Sequence, residues 1–257
     1  MNDNNYYSEY SESSAEVSSA TDTNIAFAKS YLFMFLGTFI TLIVGVFFSK
    51  ILASFMIEGN TGGEIGFLIA FFVVMVVELI ICSKINKEAL VNNNFGKSLT
   101  LFLIYSALTG FMFSFLFVYF DLAVLNQVFF GVTIYFLILS LVTFLFRKKI
   151  HRAANFAFVG LIVLLIASVV MSLLSWFMYG SETFFSLYLG ISILGIIVFS
   201  IITLVDIKAM YRLIDNSYNK NAASISAALS LYLDFMNIVI YILRILLVTG
   251  NSRSRNK

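Results

Sequence analysis

ISAALSLYLDFMNIVIYILRILLV, residues Ile225 to Val248, is long enough to cross a bilayer, yet it carries Asp234, Asn237 and Arg244. A helix facing lipid on all sides does not hold such residues, so this segment belongs inside a bundle or re-enters the membrane. Its small and polar residues, Ser226, Ala227, Ser230, Asp234, Asn237, Tyr241 and Arg244, recur at spacings of three and four. They therefore share one helical stripe. A stripe of this kind on an otherwise apolar helix suits a water-accessible path or a buried polar seam. Arg244 stands ten residues beyond Asp234, about 15 Å along the axis at a rise of about 1.5 Å per residue. Asp234 must look to another helix for a partner.

Six more apolar runs precede this one: Tyr31 to Phe48, Ile65 to Cys82, Leu99 to Phe120, Val128 to Phe146, Phe156 to Phe177 and Phe184 to Val205. Each is long enough to span, since a bilayer requires about 20 apolar residues. Over the 257 residues, 60% are hydrophobic and only 12% charged, and mean hydropathy is +0.96. A soluble domain would carry about a quarter charged residues. The expectation is an all-α membrane protein with a seven-helix transmembrane domain over residues 25–249. No room remains for a soluble catalytic domain. Residues 1–24, rich in Ser, Asn, Tyr and Glu, read as a disordered polar tail that lacks the basic start and apolar core of a secretory signal. Residues 250–257 read as a short basic tail. Ser106, Gly110 and Ser114 recur every four residues and predict a packing seam.

The loops predict orientation, because Lys and Arg in short loops are retained in the cytoplasm. With the amino terminus inside, inner segments hold Lys29, Lys84, Lys87, Lys97, Arg147, Lys148, Lys149, Arg152, Lys208, Arg212 and Lys220, and the outer loops hold Lys50 alone. Eleven against one predicts a multi-pass protein of the cell membrane with a cytoplasmic amino terminus. The charge rule leaves the carboxyl terminus open: a full seventh span places Arg253, Arg255 and Lys257 outside, and a re-entrant one keeps them inside. A net charge of +2, scattered over short loops, gives no footprint for nucleic acid. One cysteine, Cys82, and one histidine, His151, exclude an internal disulfide and a multi-histidine metal site.

Three carboxyl groups fall within or at the inner ends of the apolar runs. Glu78 lies six residues before Lys84, about 9 Å from the inner boundary. Asp206 closes the sixth run. Asp234 lies nine residues after Ile225, about 13 Å in. If segments six and seven pack as an antiparallel hairpin, Asp206 is the natural neighbour of Asp234. Two such groups in a low dielectric cannot both ionise cheaply and titrate as a unit. The pair then either senses protons or shares one proton and ties the two helices together. Glu78 reads as a carboxyl satisfied by a nearby Ser or Thr, or as part of a cation path with Asn237. Lys84 and Lys87 read as boundary residues, either of which could latch onto a carboxylate.

The stretch ALSLYLDFMNIVIYILRIL, Ala228 to Leu246, resembles the carboxyl-terminal signature of the Bax inhibitor-1 family, with LSLYLDF as its diagnostic string. VFSIITLVDIKAM, Val198 to Met210, resembles the segment that ends in the family's other aspartate, and Glu78 in VVELII sits where relatives carry a second-helix Glu. The resemblance implies six helices around a central seventh, and a pH-sensitive calcium leak with a di-aspartyl sensor mapping to Asp206 and Asp234. In bacterial relatives a second-helix arginine latches onto that pair; here the neighbourhood offers Lys84 and Lys87, point charges without the guanidinium's fork.

Two functions follow. The first is a proton-regulated Ca²⁺ leak with Asp206 and Asp234 at the gate, Glu78 and Asn237 along the path, and Ser230, Tyr241 and Arg244 continuing the polar stripe. Carboxylates suit a hard divalent ion, which here is the permeant species and not a bound cofactor. The second, drawn from what some bacterial relatives do, is a non-conducting regulator of a membrane AAA protease, with the tail 1–24 as contact. Catalytic chemistry is not expected. Neither aspartate has the Gly-x-Gly-Asp setting of intramembrane aspartyl proteases, and the chain has no Walker loop and no cluster of metal-ligating histidines.

Overall fold

With no proline in the chain, nothing interrupts the long helices by removing a backbone donor. A computed structural model describes residues 3–59, 61–145, 153–178 and 182–255. The basic cluster Arg147, Lys148, Lys149 and Arg152, with His151 and Lys257, lies outside the described residues. The described chain forms α1 (Asp3–Glu58), α2 (Thr61–Asn86), a π-helical turn (Lys87–Val91), α3 (Phe95–Phe117), α4 (Leu122–Leu145), α5 (Ala153–Met178), α6 (Glu182–Asp215) and α7 (Lys220–Arg255). Among the described residues there is no strand. This is an all-α, multi-pass membrane protein.

The seventh helix is the hub. It packs against α1, α2, α3, α4 and α6, whereas α5 packs on α6. Within its most apolar window 56% of residues are buried, against 6% for α2, which turns Leu68, Phe72 and Val73 outward as a lipid-facing helix does. Small residues explain how α7 fits: Ala222, Ala223, Ala227 and Ala228 are fully buried at its start and let neighbouring helices close in. Farther along, Tyr232 meets the rings of Phe102 and Tyr105 from α3, and Phe235 meets Phe129 and Phe136 from α4. α7 is one unbroken helix of 36 residues, about 54 Å long. It crosses without re-entry, so its two ends lie at opposite ends of the bundle.

The seam on α3 meets α1. A Cβ on Gly110 would stand 2.8 Å from the Thr41 carbonyl oxygen, and one on Gly45 would stand 2.6 Å from the Phe117 ring. These contacts require glycine on both helices. The α2–α3 junction is shaped by asparagines: Asn93 adopts a left-handed φ of 52°, which Asn tolerates better than most residues. Asn94 then caps α3 by accepting the Lys97 amide at 3.0 Å. Asn219 caps α7 by accepting the Ala222 amide at 3.1 Å, and its own amide donates to the Asn93 carbonyl at 3.0 Å. One side chain thus starts the central helix and ties it to the α2–α3 corner.

α1 begins at Asp3, and no glycine or proline occurs before Gly37 to stop it. At residues 19–24 the helix is docked: Thr23 is fully buried and donates to Asp215 Oδ1 at 3.0 Å, while Lys220 Nζ donates to the Ser19 carbonyl at 2.7 Å.

The α1–α3 seam gives a direct test. Gly110→Ala should lower stability by about 1 to 3 kcal/mol through overpacking, read as an earlier unfolding midpoint in an SDS titration. Gly131→Ala, where a Cβ meets nothing within 4 Å, should not.

Candidate functional site

α6 and α7 run antiparallel and pack along much of their length, which brings Asp206 and Asp234 to one interface. Asp234 is 4% exposed, and its Oδ2 is buried with no hydrogen-bond partner. Asp206 is half-buried and acts on Asp234 electrostatically. Thr203, three residues before Asp206 on the same face of α6, is fully buried and also stands against Asp234. Its hydroxyl is within 2.8 Å of the Phe199 carbonyl oxygen, and its single proton serves one acceptor at a time. Asp234 is therefore an under-bonded carboxyl group in the core of the bundle. Sequence reasoning passed over Thr203, although its spacing from Asp206 puts it on the same stripe.

Beyond Asp234, the polar stripe lines a second space. Asn237, Tyr241 and Arg244 border a cavity of about 200 Å³ with Ser168 of α5 and Phe199 of α6. The Asn237 amide donates to the Leu233 carbonyl at 2.9 Å. The Arg244 guanidinium lies 5.3 Å from the Tyr241 ring centroid and 5.7 Å from that of Tyr188, within cation–π range. Tyr241 fits there because Gly195 is bare: a Cβ would stand 2.5 Å from the Tyr241 ring. Ser230 makes only a long contact to the Ser226 carbonyl, at 3.5 Å.

Glu78 is not brought to the aspartate pair. Its Oε1 lies 2.7 Å from the Thr109 hydroxyl of α3, which is also 3.0 Å from the Tyr105 carbonyl oxygen. Thr109 and Ser106 also face the hydroxyl of Tyr232, which lies 2.6 Å from Thr41 Oγ1. Thr41 is also within reach of the Ser106 and Gly37 carbonyl oxygens, at 2.9 and 3.0 Å. Because carbonyls only accept, Thr41 gives its proton to one of them and Tyr232 donates to Thr41. Tyr232 and Asp234 are two residues apart, about 200° around the helix. The Glu78 cluster and the aspartate pair thus occupy opposite sides of α7.

Lys84 and Lys87 are exposed, and neither forms an ion pair among the described residues. The inward face of this region is taken by Ile85 and Ala89, both buried, which turns the two lysines outward. The ion pair at this corner is Lys97 with Glu88, at 2.6 Å. Asn86, unremarked in the sequence, reaches α7 instead by accepting from Ser226 at 2.6 Å. Among the described residues no three His, Cys, Asp or Glu side chains come together as metal ligands.

Residues 23–252 match the family described as inhibitor of apoptosis-promoting Bax1. The chain belongs to the Bax inhibitor-1 family. It is 29% identical to the inner membrane protein YbhL of Escherichia coli K12 over 232 residues, covering 88% of this chain and 91% of that one. An uncharacterized protein of Rickettsia prowazekii is 34% identical over 156 residues, 60% of this chain and 61% of its own length, so that match spans less than two thirds of the relative. The uncharacterized protein YrjE of Lactococcus lactis is 26% identical over 241 residues, 90% and 93% of the two chains. No solved structure matches significantly. In this member of the Bax inhibitor-1 family, the second-helix acid and the two aspartates form two separate polar clusters on one central helix.

The Glu78 cluster predicts a specific stability effect. Thr109→Val removes the hydroxyl and leaves the carboxyl group under-bonded, which should cost about 1 to 3 kcal/mol. In a Glu78→Leu background the same change should cost much less, and equal costs in the two backgrounds would show that the bond does not stabilise the fold.

Proposed function

We propose that this protein is a proton-regulated Ca²⁺ leak whose gate is the Asp206–Asp234 pair, oriented with its amino terminus and the Lys84, Lys208 and Lys220 end in the cytoplasm. One observation carries the reading: Asp234 is buried at 4% exposure with Oδ2 unpartnered, beside a second carboxyl group. A bare carboxylate oxygen in a low dielectric is costly, so the site calls for a proton or a cation.

The two occupants have opposite effects on the helices. With one proton on the pair, the neutral acid donates to its partner carboxylate or to the Thr203 hydroxyl, and α6 and α7 are drawn together. With the proton lost, two negative charges face each other, and the interface favours separation or a divalent ion. Oxygen ligands suit Ca²⁺, which accepts flexible coordination more readily than Mg²⁺ does. The cavity bordered by Asn237 and Ser168 continues the route along the same stripe. Glu78 stands outside this route, on the far side of α7.

The test is dye-reported Ca²⁺ entry into liposomes holding the purified protein, in a series from about pH 6 to 8. Flux should rise with pH. Asp234→Asn, which cannot lose a proton, should flatten the profile, and Glu78→Gln should leave its midpoint in place. An unchanged pH profile in Asp234→Asn would remove the sensor from this pair. Absence of flux at every pH from folded protein would overturn the leak and favour a non-conducting regulator of other membrane proteins.

A further inference from the structure

A cavity of about 710 Å³ lies away from both polar clusters, between α1, α4 and α6. It sits at the basic end of the bundle. Its wall is apolar, built from Phe27, Leu137 and Ile207, and Lys208 and Arg212 line it from α6. Those two residues are four apart, one above the other on a single helical face. α1 and α4 are bridged across the cavity by the Tyr31 hydroxyl and Ser140 Oγ, 2.9 Å apart. Asp215 also lines the cavity and accepts the Thr23 hydroxyl at 3.0 Å.

We propose that this cavity binds an anionic glycerophospholipid, with its phosphodiester at Lys208 and Arg212 and an acyl chain along Leu137. Three observations carry the assignment. First, the wall is continuous with the lipid-facing surface: Leu137 is 51% exposed, as are its neighbours Ile138 and Leu141 to a similar degree. A groove in such a surface lies in hydrocarbon and is filled by lipid rather than water. Second, the polar end is net basic, with Lys208 and Arg212 against Asp215. Arg212 is exposed, and among the described residues it forms no ion pair. A guanidinium fork matches a phosphodiester bidentately, and an adjacent lysine adds a point charge. Third, the volume is in the range of small-molecule sites, about 300 to 1,000 Å³, and apolar depth with a basic rim is the chemistry of a headgroup and chain held together. Basic pockets between helices on the cytoplasmic side are where anionic headgroups bind.

The experiment is native mass spectrometry of the full-length protein in detergent, titrated with phosphatidylglycerol, phosphatidylcholine or inorganic phosphate, with thermal unfolding followed in parallel. One phosphatidylglycerol should be retained and should raise the unfolding temperature, whereas phosphatidylcholine and inorganic phosphate should do neither. Lys208→Gln and Arg212→Gln should each weaken phosphatidylglycerol binding about fivefold. Ser140→Phe, which fills the cavity and leaves both basic residues in place, should abolish retention, and Lys50→Gln at the opposite end of α1 should not change it. Equal retention of phosphatidylcholine would overturn the headgroup assignment. Equal stabilisation by inorganic phosphate would show a free-anion site, and an equal loss in Lys50→Gln would reduce the effect to general charge attraction; either result overturns the proposal. Circular dichroism and the unfolding temperature without lipid separate a folding failure in one variant from a binding loss in the others.

Discussion

A carboxyl group held away from water with one oxygen unpartnered, as Asp234 is, constrains everything around it. Such a group persists only where its helix is surrounded by protein, because lipid offers it nothing. α7 satisfies that condition by starting with alanines and serines, so that α1, α2, α3, α4 and α6 can all reach it. The other helices are then free to be ordinary membrane helices, apolar on the outside and small or aromatic on the inside. The fold can be read as the means of keeping one acidic residue both buried and next to another.

The polar chemistry is partitioned by the pitch of that one helix. Tyr232 turns toward α1 and α3, where hydroxyls and carbonyls satisfy it, and Asp234 turns toward α6, where they do not fully. Glu78 belongs to the satisfied side, through Thr109. Three acids at similar depth are therefore not equivalent. One faces a threonine of α3, and two face each other across the α6–α7 interface with too few donors.

Much of this was legible in the residues. The number of helices follows from seven apolar runs, and the centrality of the last follows from charges that lipid would reject; α1, α6 and α7 extend well beyond their runs. That Asp206 and Asp234 meet follows from an antiparallel hairpin with a short connection. What pattern could not supply was rotation about each helix axis. Glu78 and Asp234 have comparable depths, yet they point to different neighbours, and depth alone does not record direction. Pattern likewise did not show that Ile85 and Ala89 take the inward face at this corner and turn Lys84 and Lys87 outward. The π-helical turn at Lys87–Val91 and the left-handed Asn93 set the α2–α3 corner, and its ties to the start of α7, Asn219 to Asn93 and Ser226 to Asn86, come from more than a hundred residues away.

The double attachment of α7 also bears on which part of the molecule moves. Turning α7 about its axis to separate the aspartates would pull the Tyr232 hydroxyl from Thr41 and drag its ring from between Phe102 and Tyr105. Sliding it lengthwise would break the Asn219 and Ser226 ties to the α2–α3 corner. The central helix therefore behaves as a fixed axle. α6 carries the other aspartate; a hydroxyl pair at 2.7 Å joins its Ser200 to Tyr135 of α4, and near its end Tyr211 and Asp215 bond to Asn24 and Thr23 of α1. In the gate proposed above, relative motion at the pair falls to the stretch of α6 around Asp206, while its Asp215 end stays tied to α1 through Thr23.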